Sequence, residues 1–278
     1  MFTQEEHFYT TAAEEKIYYR SWTPSTKYDK ILIITHGQGE HSGSYSRVID
    51  FLEDTGYKIY AWDLAGHGRS YGKRGYVKKF SDHIQNFIHI INEIHSSEKR
   101  PIQLLGHSMG GLIQLAATAD KEFPKTQIHK MVFSAPFLDV ATPVPFYKDL
   151  AAIIIGGYLP KLTLPDGIEN SMLSQDPIIH LEYNRDVYRH HWMSSSVYLG
   201  VIENSMQLRA AKKKFHCPTL FQIPQEDPVV SSSVTRAFVE SLHDPQLTLK
   251  EYPNRKHEIY NDIFREEPLG DLKEFLLG

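Results

Sequence analysis

The chain of 278 residues has little of what disulfide-rich, membrane-spanning and nucleic-acid-binding proteins share. Its single cysteine, Cys217, excludes an intrachain disulfide, and its place before a proline at the start of a predicted strand indicates a small buried residue. The longest apolar run, residues 150–155, is far shorter than the about 20 residues that span a bilayer. The net charge is −4 and the longest basic block is Lys212–Lys214, so we expect no nucleic-acid partner.

The first 135 residues alternate between predicted strands and helices. Two antiparallel edge strands are expected at residues 7–9 and 16–22, and core strands at 31–35, 58–62, 102–105 and 131–134. Helices are expected near residues 43–55, 82–97 and 109–121, the second with apolar residues at helical spacing on one face. This alternation predicts a mostly parallel sheet with helices around it. The length suffices for one large α/β domain or for two small ones.

The stretch Gly106–Gly110 has the sequence Gly-His-Ser-Met-Gly and fits the Gly-x-Ser-x-Gly pattern of a nucleophile elbow. A short apolar strand precedes it, and a helix with small residues on its packing side follows it. A serine between a strand and a helix must turn sharply, and the flanking glycines give the backbone room to do so. The turn aims the helix N-terminus at developing negative charge. We therefore predict that Ser108 is a nucleophile; the alternative is a chance match in a glycine-containing loop.

A serine nucleophile needs a base, and the base needs an acid that orients it. In α/β-hydrolases the acid and then the histidine follow the serine along the chain. Residues 217–223 and 247–252 read as strands; Asp227 lies in the loop after the first and His257 in the loop after the second. Both loops would leave the edge of the sheet at which open α/β folds place their sites. We predict Asp227 as the acid and His257 as the base.

Other residues compete for these two roles. Glu226 adjoins Asp227 and stays an alternative acid, whereas Asp244 lies near a predicted helix end, where capping explains it. The chain has 15 histidines, and most are interpreted as surface or packing residues. Six of these lie on a predicted amphipathic helix or in the middle of the chain: His83, His89, His95, His180, His190 and His191.

A hydrophobic, β-branched strand at residues 29–35 runs into the segment His36–His41, His-Gly-Gln-Gly-Glu-His. A His-Gly-x-Gly turn at this point resembles the motif whose backbone N–H completes an oxyanion hole. The predicted donors are the backbone N–H groups of Gln38 and Met109; the alternative is an ordinary glycine turn. His36 and His41 fit no zinc-ligand spacing, so we expect no metal.

Four segments resemble the signature sequences of monoacylglycerol lipases and their lysophospholipase-like relatives. They are residues 36–45 (HGQGEHSGSY), 63–70 (DLAGHGRS), 106–111 (GHSMGG) and 257–258 (HE). The similarity is in register over nearly the whole chain and is weakest between residues 140 and 210. One departure is Pro224, which stands where the family usually has a glycine three residues before the acid. The resemblance implies the same nucleophile, acid, base and two oxyanion donors: Ser108, Asp227, His257, Gln38 and Met109.

Between residues 136 and 214 the alternation of strands and helices breaks down, and six prolines interrupt short helical pieces. In a hydrolase this stretch would be an insertion that crosses above the serine, a helical cap. Its first half is unusually apolar, with Val144, Phe146, Tyr147, Leu150, Ile153, Ile154, Ile155, Tyr158, Leu159, Leu162 and Leu164. Two interpretations stay open: all of these residues pack the cap onto the core, or some line an acyl tunnel whose outer face touches lipid.

With the resemblance, the sequence predicts an α/β-hydrolase fold over residues 1–278: a mostly parallel central sheet, helices on both faces and a helical cap insertion at about 136–214. We expect a serine carboxylic-ester hydrolase that cleaves monoacyl lipids through an acyl-enzyme, without a cofactor. A peptidase or short-chain esterase on the same scaffold, and a non-catalytic lipid-binding protein, are the alternatives. Residues 1–7 have no signal-peptide pattern, so a cytoplasmic protein is expected, peripheral at a membrane if the cap touches lipid.

Overall fold

The structure, a computed structural model, describes residues 1–11, 14–142, 152–154, 158–211 and 214–278. Eight of its strands form one sheet in the order β1-β2-β4-β3-β5-β6-β9-β10. These strands are β1 (Phe2–Thr10), β2 (Lys16–Pro24), β3 (Lys30–Thr35), β4 (Tyr57–Trp62), β5 (Ile102–His107), β6 (Ile128–Ser134), β9 (Thr219–Pro224) and β10 (Leu247–Tyr252). Strand β2 is antiparallel to β1 and β4, and the other adjacent pairs are parallel. The predicted mostly parallel sheet is confirmed.

Helices cover both faces of this sheet, as predicted. They are α1 (Ser46–Phe51), α2 (Phe80–Glu98), α3 (Met109–Ala117), α4 (Asn170–Leu173), α5 (Pro177–Arg185), α6 (Ser195–Ala210), α7 (Ser232–Leu242) and α8 (Glu266–Leu277). Successive residues of β3 point to opposite faces, because side chains alternate along a strand. Ile33 belongs to a core with Phe87 of α2, whereas Ile34 belongs to a second core with Leu272 of α8. The strands that carry the predicted site are thus buried on both sides.

Two helices are shorter than the sequence pattern predicted. The helix expected near residues 43–55 begins with a 3₁₀ turn at Ser42–Tyr45 and ends at Phe51, since the Leu52 N–H is shared by two carbonyls and a turn follows. Helix α3 ends at Ala117 instead of near residue 121. Beyond that point hydrogen bonds between residues three apart replace the helical spacing, as in Asp120 N–H to the Ala117 carbonyl at 2.9 Å.

The stretch predicted as the insertion, residues 136–214, lies between the end of β6 and the start of β9. Its described part contains α4, α5, α6 and a two-stranded antiparallel sheet of β7 (Thr163–Pro165) and β8 (Trp192–Ser194). Helix α6 joins the core on the α2 side, with Val197 and Val201 buried there. Gly200 allows this close packing, because a Cβ at that position would lie 2.3 Å from the Cβ of Phe80.

Within the described ranges, no helix combines the length and the apolar character that crossing a bilayer requires.

Candidate active site

Ser108 lies in the turn between β5 and α3, at the carboxyl edge of the sheet. Its backbone has φ 51° and ψ −121°, a conformation that residues with a side chain rarely adopt. Hydrogen bonds fix the turn: the Ser108 N–H donates to the Ser134 carbonyl at 3.0 Å, and the Ser108 carbonyl accepts from the Leu112 N–H at 3.1 Å. A strained strand-to-helix turn of this kind is the geometry of a nucleophile elbow.

The glycines on either side of Ser108 are required by close packing. A Cβ on Gly110 would lie 2.3 Å from the Thr35 carbonyl oxygen, and one on Gly106 would lie 2.8 Å from the Gln114 side chain. Real Cβ atoms do not approach other atoms this closely, so a larger residue at position 110 would push the elbow away from β3, and one at position 106 would collide with α3. The Gly-x-Ser-x-Gly pattern therefore has a steric cause in this structure.

The structure brings Asp227 and His257 together. Nδ1 of His257 lies 2.7 Å from Oδ2 of Asp227, and Oδ1 of Asp227 accepts the N–H groups of Val229 at 2.8 Å and Val230 at 3.1 Å. Pro224, the departure from the family pattern, is the last residue of β9, and the loop beyond it still delivers Asp227 to the histidine. These contacts orient the imidazole with its Nε2 directed away from the acid.

Glu226, the alternative acid, is exposed, whereas Asp227 is buried. The ring centroid of His257 is 4.8 Å from that of His107, the residue before Ser108, so the histidine lies beside the elbow. Burial acts to lower the pKa of His257, but the Asp227 carboxylate, together with Glu258 and Glu40, outweighs it and raises the pKa above its ordinary value. An imidazolium formed during a reaction would therefore be stabilised.

The loop after β3 passes directly over Ser108. A Cβ on Gly37 would lie 3.0 Å from the Cβ of Ser108, so the next residue, Gln38, presents its backbone close to the elbow. The Gln38 N–H donates to no acceptor among the residues that the structure describes. Met109 is the first residue of α3, and such N–H groups have no partner within their helix. Both predicted oxyanion donors are thus present at the same edge of the sheet.

The side chain of Gln38 is bound elsewhere and makes no hydrogen bond with Ser108. Its Nε2 donates to the Trp192 carbonyl at 2.7 Å, and its Oε1 lies 3.3 Å from Nε2 of His67. Gln38 thereby links the β3 loop to strand β8 of the insertion. Sequence reasoning gave no signal for this second role.

A buried charged cluster beside His257 was also missed by sequence reasoning. It consists of Glu40, Arg189 and Glu258, and we call it the Glu-Arg-Glu cluster; the only sequence signal was that two of its members flank predicted site residues. Nη2 of Arg189 donates to Oε1 of Glu258 at 2.9 Å, and Nη1 lies 3.9 Å from Oε2 of Glu40. All three side chains are nearly inaccessible.

The two acids of this cluster differ in electrostatics. Burial acts to raise the pKa of Glu258, but Arg189 and further donors hold it well below its ordinary value. Burial and the nearby charge of Glu258 raise the pKa of Glu40 well above its ordinary value. Arg189 is therefore paired chiefly with Glu258.

Four buried histidines form a second group, behind the β3 loop. The ring of His67 lies 5.3 Å from that of His36, 6.4 Å from His83 and 4.6 Å from His190, centroid to centroid. Burial lowers the pKa of each; it is about 4 for His36 and His190 and about 3 for His83. They are therefore neutral at pH 7. Within the part of the chain that the structure describes, no three His, Cys, Asp or Glu side chains are arranged to hold a metal ion.

The apolar first half of the insertion is only partly described. Val144, Phe146, Tyr147, Leu150 and Ile155 lie outside the described residues. Of the rest, Tyr158 is 85% exposed and Leu159 58% exposed, and four others are also largely accessible: Ile153, Ile154, Leu162 and Leu164. These six side chains do not pack onto the core.

Comparison with known proteins agrees with this geometry. Residues 26–263 match the model of a hydrolase family described as serine aminopeptidase, S33. The chain is 28% identical over 280 residues to a monoacylglycerol lipase of Mycolicibacterium smegmatis, covering 99% of this chain and 98% of that protein. It is also 27% identical to an uncharacterized abhydrolase domain-containing protein of Dictyostelium discoideum, of which it spans only 28%.

Among solved structures, the crystal structure of Paleococcus ferrophilus monoacylglycerol lipase superimposes with a TM-score of 0.80 at 26% identity, covering 100% of this chain and 98% of that one. The family model extends from the strand before the oxyanion loop to the residues after His257, so it includes every predicted site residue. The chain therefore belongs to the family described as serine aminopeptidase, S33, and is a monoacylglycerol lipase-like α/β-hydrolase.

Proposed function

We propose that the protein is a serine carboxylic-ester hydrolase that cleaves monoacyl lipids. The observation that carries the proposal is the Asp227–His257 hydrogen bond of 2.7 Å beside a serine held in an elbow conformation. A buried carboxylate that orients a histidine next to a strained serine is the arrangement that activates a hydroxyl for acyl transfer.

In the acylation half, Oγ of Ser108 attacks the ester carbonyl carbon while Nε2 of His257 takes the hydroxyl proton. The Asp227 carboxylate stabilises the imidazolium that results. The carbonyl oxygen becomes an oxyanion, which the N–H groups of Gln38 and Met109 bind. Each such donor contributes about 2.7–4 kcal/mol in comparable sites. Collapse of the intermediate breaks the ester C–O bond, and His257 gives its proton to the leaving alcohol.

In the deacylation half, His257 takes a proton from water, and the hydroxide attacks the acyl-Ser108 carbonyl. The same two N–H groups bind the second oxyanion. Collapse releases the fatty acid and returns the proton to Ser108. The protein's own groups and one water molecule supply every proton and nucleophile in this cycle, and no step requires a cofactor.

The monoacyl-lipid assignment rests on the similarity to monoacylglycerol lipases over whole chains and on the apolar character of residues 144–164. Each methylene of an acyl chain buried against such residues can contribute up to about 0.8 kcal/mol. We therefore expect kcat/KM to rise with acyl length from acetate to medium and long chains. The substitution Leu150→Asp, at an apolar position of this stretch, should then reduce turnover of long esters far more than of acetate.

The test is a panel of acyl-glycerol, lysophospholipid, nitrophenyl ester and aminoacyl anilide substrates, combined with fluorophosphonate labelling of the active serine. A flat length profile with fast short esters would favour a short-chain esterase, and turnover of anilides would favour the peptidase that the family description suggests. Absence of both labelling and turnover would leave a non-catalytic lipid-binding protein.

We further propose that the insertion touches a membrane surface, which would place a cytoplasmic protein peripherally at the bilayer. Exposed apolar side chains at Ile154, Tyr158 and Leu159 support this, because contiguous exposed apolar groups mark contact sites. Sedimentation with phospholipid vesicles should capture the wild type more than Leu159→Asp. Phe8→Asp, on the exposed face of β1, is the matched control, and equal capture of all three proteins would contradict membrane contact through the insertion.

A further inference from the structure

We infer that Arg189, a residue of the insertion, is a positioning residue for hydrolysis, which holds the loop of Gln38 and the loop of His257 in their working arrangement. This inference rests on the proposed serine-hydrolase function. It deepens that proposal by making a part of the insertion necessary to the catalytic geometry.

Arg189 reaches both loops from a single buried position. One nitrogen, Nη2, donates to Glu258 at 2.9 Å; the other, Nη1, donates to Oγ of Ser44 at 3.2 Å and lies 3.9 Å from Glu40. The guanidinium carbon stands 3.7 Å from the ring centroid of Tyr183, which is on α5 of the insertion. A planar, five-donor cation stacked on an aromatic ring holds several acceptors in a fixed geometry.

Through Glu40, Arg189 is connected to the loop that carries Gln38. Oε1 of Glu40 accepts the Gly37 N–H at 2.6 Å and the Tyr45 hydroxyl at 3.0 Å. Gly37 immediately precedes Gln38 and packs against Ser108. The direction of the Gln38 N–H therefore depends on where the Glu40 carboxylate sits.

The Glu258 side governs the base. Glu258 follows His257 in the chain, and its Oε2 accepts from Asn261 at 2.8 Å and from the Tyr183 hydroxyl. The backbone N–H of His257 donates to the Met172 carbonyl of α4 at 3.3 Å, so the loop of His257 also contacts the insertion directly. Movement of Glu258 would be passed directly to the imidazole beside it.

Electrostatics makes Arg189 necessary for this arrangement. Without it, the Glu40 and Glu258 carboxyls would face each other in a site from which water is nearly excluded, so one of them must take up a proton and exchange its hydrogen-bond partners, or move away from the other. Displacement by as little as about 1 Å in a catalytic constellation can cost on the order of 10²-fold in rate.

The same change would alter the field at His257. The groups that face this imidazole are Asp227 from the β9 loop, His107 from β5, and Glu258, Glu40 and Arg189 of the Glu-Arg-Glu cluster. His107 is neutral at pH 7, because burial lowers its pKa to about 3. Loss of the Arg189 charge leaves the carboxylates less compensated, which favours the imidazolium. The acidic limb of kcat/KM would then move to higher pH.

The experiment measures kcat, KM and their pH dependence for a soluble butyrate ester. The variants are Arg189→Met, Arg189→Lys, the double variant Arg189→Met with Glu258→Gln, and Arg47→Met. Arg47 is the matched control: it pairs with Glu182 of α5 at 3.0 Å, so it too joins the core to the insertion, but the pair is partly exposed and touches neither catalytic loop.

We expect Arg189→Met to lose about 10²-fold in kcat with KM within about threefold of wild type, and its acidic limb to move to higher pH. Arg189→Lys keeps the positive charge but loses the planar guanidinium that donates to Glu258 and Ser44 at once. It should therefore retain the wild-type pH profile with an intermediate kcat. The double variant removes one charge of each sign and should recover part of kcat and the pH profile. Arg47→Met should match wild type within about twofold.

Two results would overturn the inference. One is an Arg189→Met variant with the kcat and the acidic limb of Arg47→Met. The other is a double variant as impaired as Arg189→Met, or one that does not fold, since removal of both charges should relieve the conflict. Wild-type protein that is labelled by fluorophosphonate and active alongside either result would leave the proposed function in place, whereas an inactive, unlabelled wild type would remove the proposed function itself.

Discussion

The elbow around Ser108 and the insertion differ in the interactions that hold them in place. Around Ser108, neighbouring atoms approach so closely that a side chain at position 106 or 110 would clash, and residues 102–115 are all buried. The insertion meets the core partly through polar side chains, as in His41 Nε2 to Asp186 at 2.7 Å and the Arg189 contacts, while many of its apolar residues face outwards. Close backbone contacts thus fix the conformation of Ser108, whereas paired polar groups hold the insertion against the loops of Gln38 and His257.

The largest effect should come from the elbow itself. Ser108→Ala removes the nucleophile without changing volume appreciably, so ester hydrolysis should fall by about 10⁶-fold while the fold is kept. Steady-state kinetics with circular dichroism as the control for folding checks this. Turnover within a few-fold of wild type in a folded variant would falsify the role of Ser108.

The next effect sharpens the choice between two adjacent acids. Asp227→Asn should cut kcat by about 10⁴-fold, because the amide favours the wrong tautomer of His257. Glu226→Gln, its exposed neighbour, should stay near wild type. If the two variants exchange these outcomes, the acid has been assigned to the wrong residue.

A smaller effect separates the backbone of Gln38 from its side chain. Gln38→Pro removes the N–H and should lose on the order of 10²-fold or more in kcat if it folds. Gln38→Ala keeps the N–H and loses the contact with the Trp192 carbonyl, so it should stay within about tenfold of wild type. Equal activity of the two folded variants would eliminate Gln38 as a donor, and a large loss in the alanine variant would assign the amide to substrate binding.

The last effect concerns stability in acid rather than the rate of hydrolysis. Burial depresses the pKa of His36, His83 and His190 to about 3–4, so the folded state prefers them neutral. Keeping these histidines neutral costs the folded state nothing above about pH 6.5, the ordinary pKa of a histidine in the unfolded chain. As the pH falls from about 6.5 towards 4, the free energy of unfolding decreases by on the order of 1 kcal/mol per histidine and pH unit, because only the unfolded chain takes up the protons.

His83 offers the direct test, since neither of its ring nitrogens has a hydrogen-bond partner in the described residues. The melting temperature of His83→Leu should fall less steeply between pH 6.5 and 4 than that of wild type. His89→Leu, on the exposed face of the same helix, is the control. Parallel pH profiles for all three proteins would contradict this account of the histidine group.

Much of the fold could be predicted from the sequence because its signals are local. The alternation of strands and helices, the end of β10 at Tyr252 and the turn at Ser108 each follow from residues close in the chain. Helix ends were less predictable: α1 stops at Phe51 because a tightened turn competes with a pattern that looks helical further on. Local propensity fixes an element more firmly than its boundaries.

The Glu-Arg-Glu cluster could not be predicted for a different reason. Glu40, Arg189 and Glu258 are separated by about 150 and 70 residues; Glu40 and Glu258 lie near predicted site residues, but nothing in the sequence connects either of them to Arg189. Each reads as an ordinary surface charge, which is the usual place of such residues. Only the folded arrangement makes them a buried set beside the proposed base, so the part of the site that depends on the insertion was invisible in the sequence.

The contact of Gly200 with Phe80 has a consequence for how substrate enters. Because the Gly200 backbone packs directly on the Phe80 side chain, and Val197 and Val201 are buried beside it, α6 cannot move outwards without exposing part of the core. A hydrogen bond at the start of α6 also ties it to the core: the N–H of Ser194, the residue before α6, donates to the Gly75 carbonyl at 2.8 Å. If the insertion rearranges when substrate enters, we therefore expect α6 to keep its position and the change to lie before Ser194.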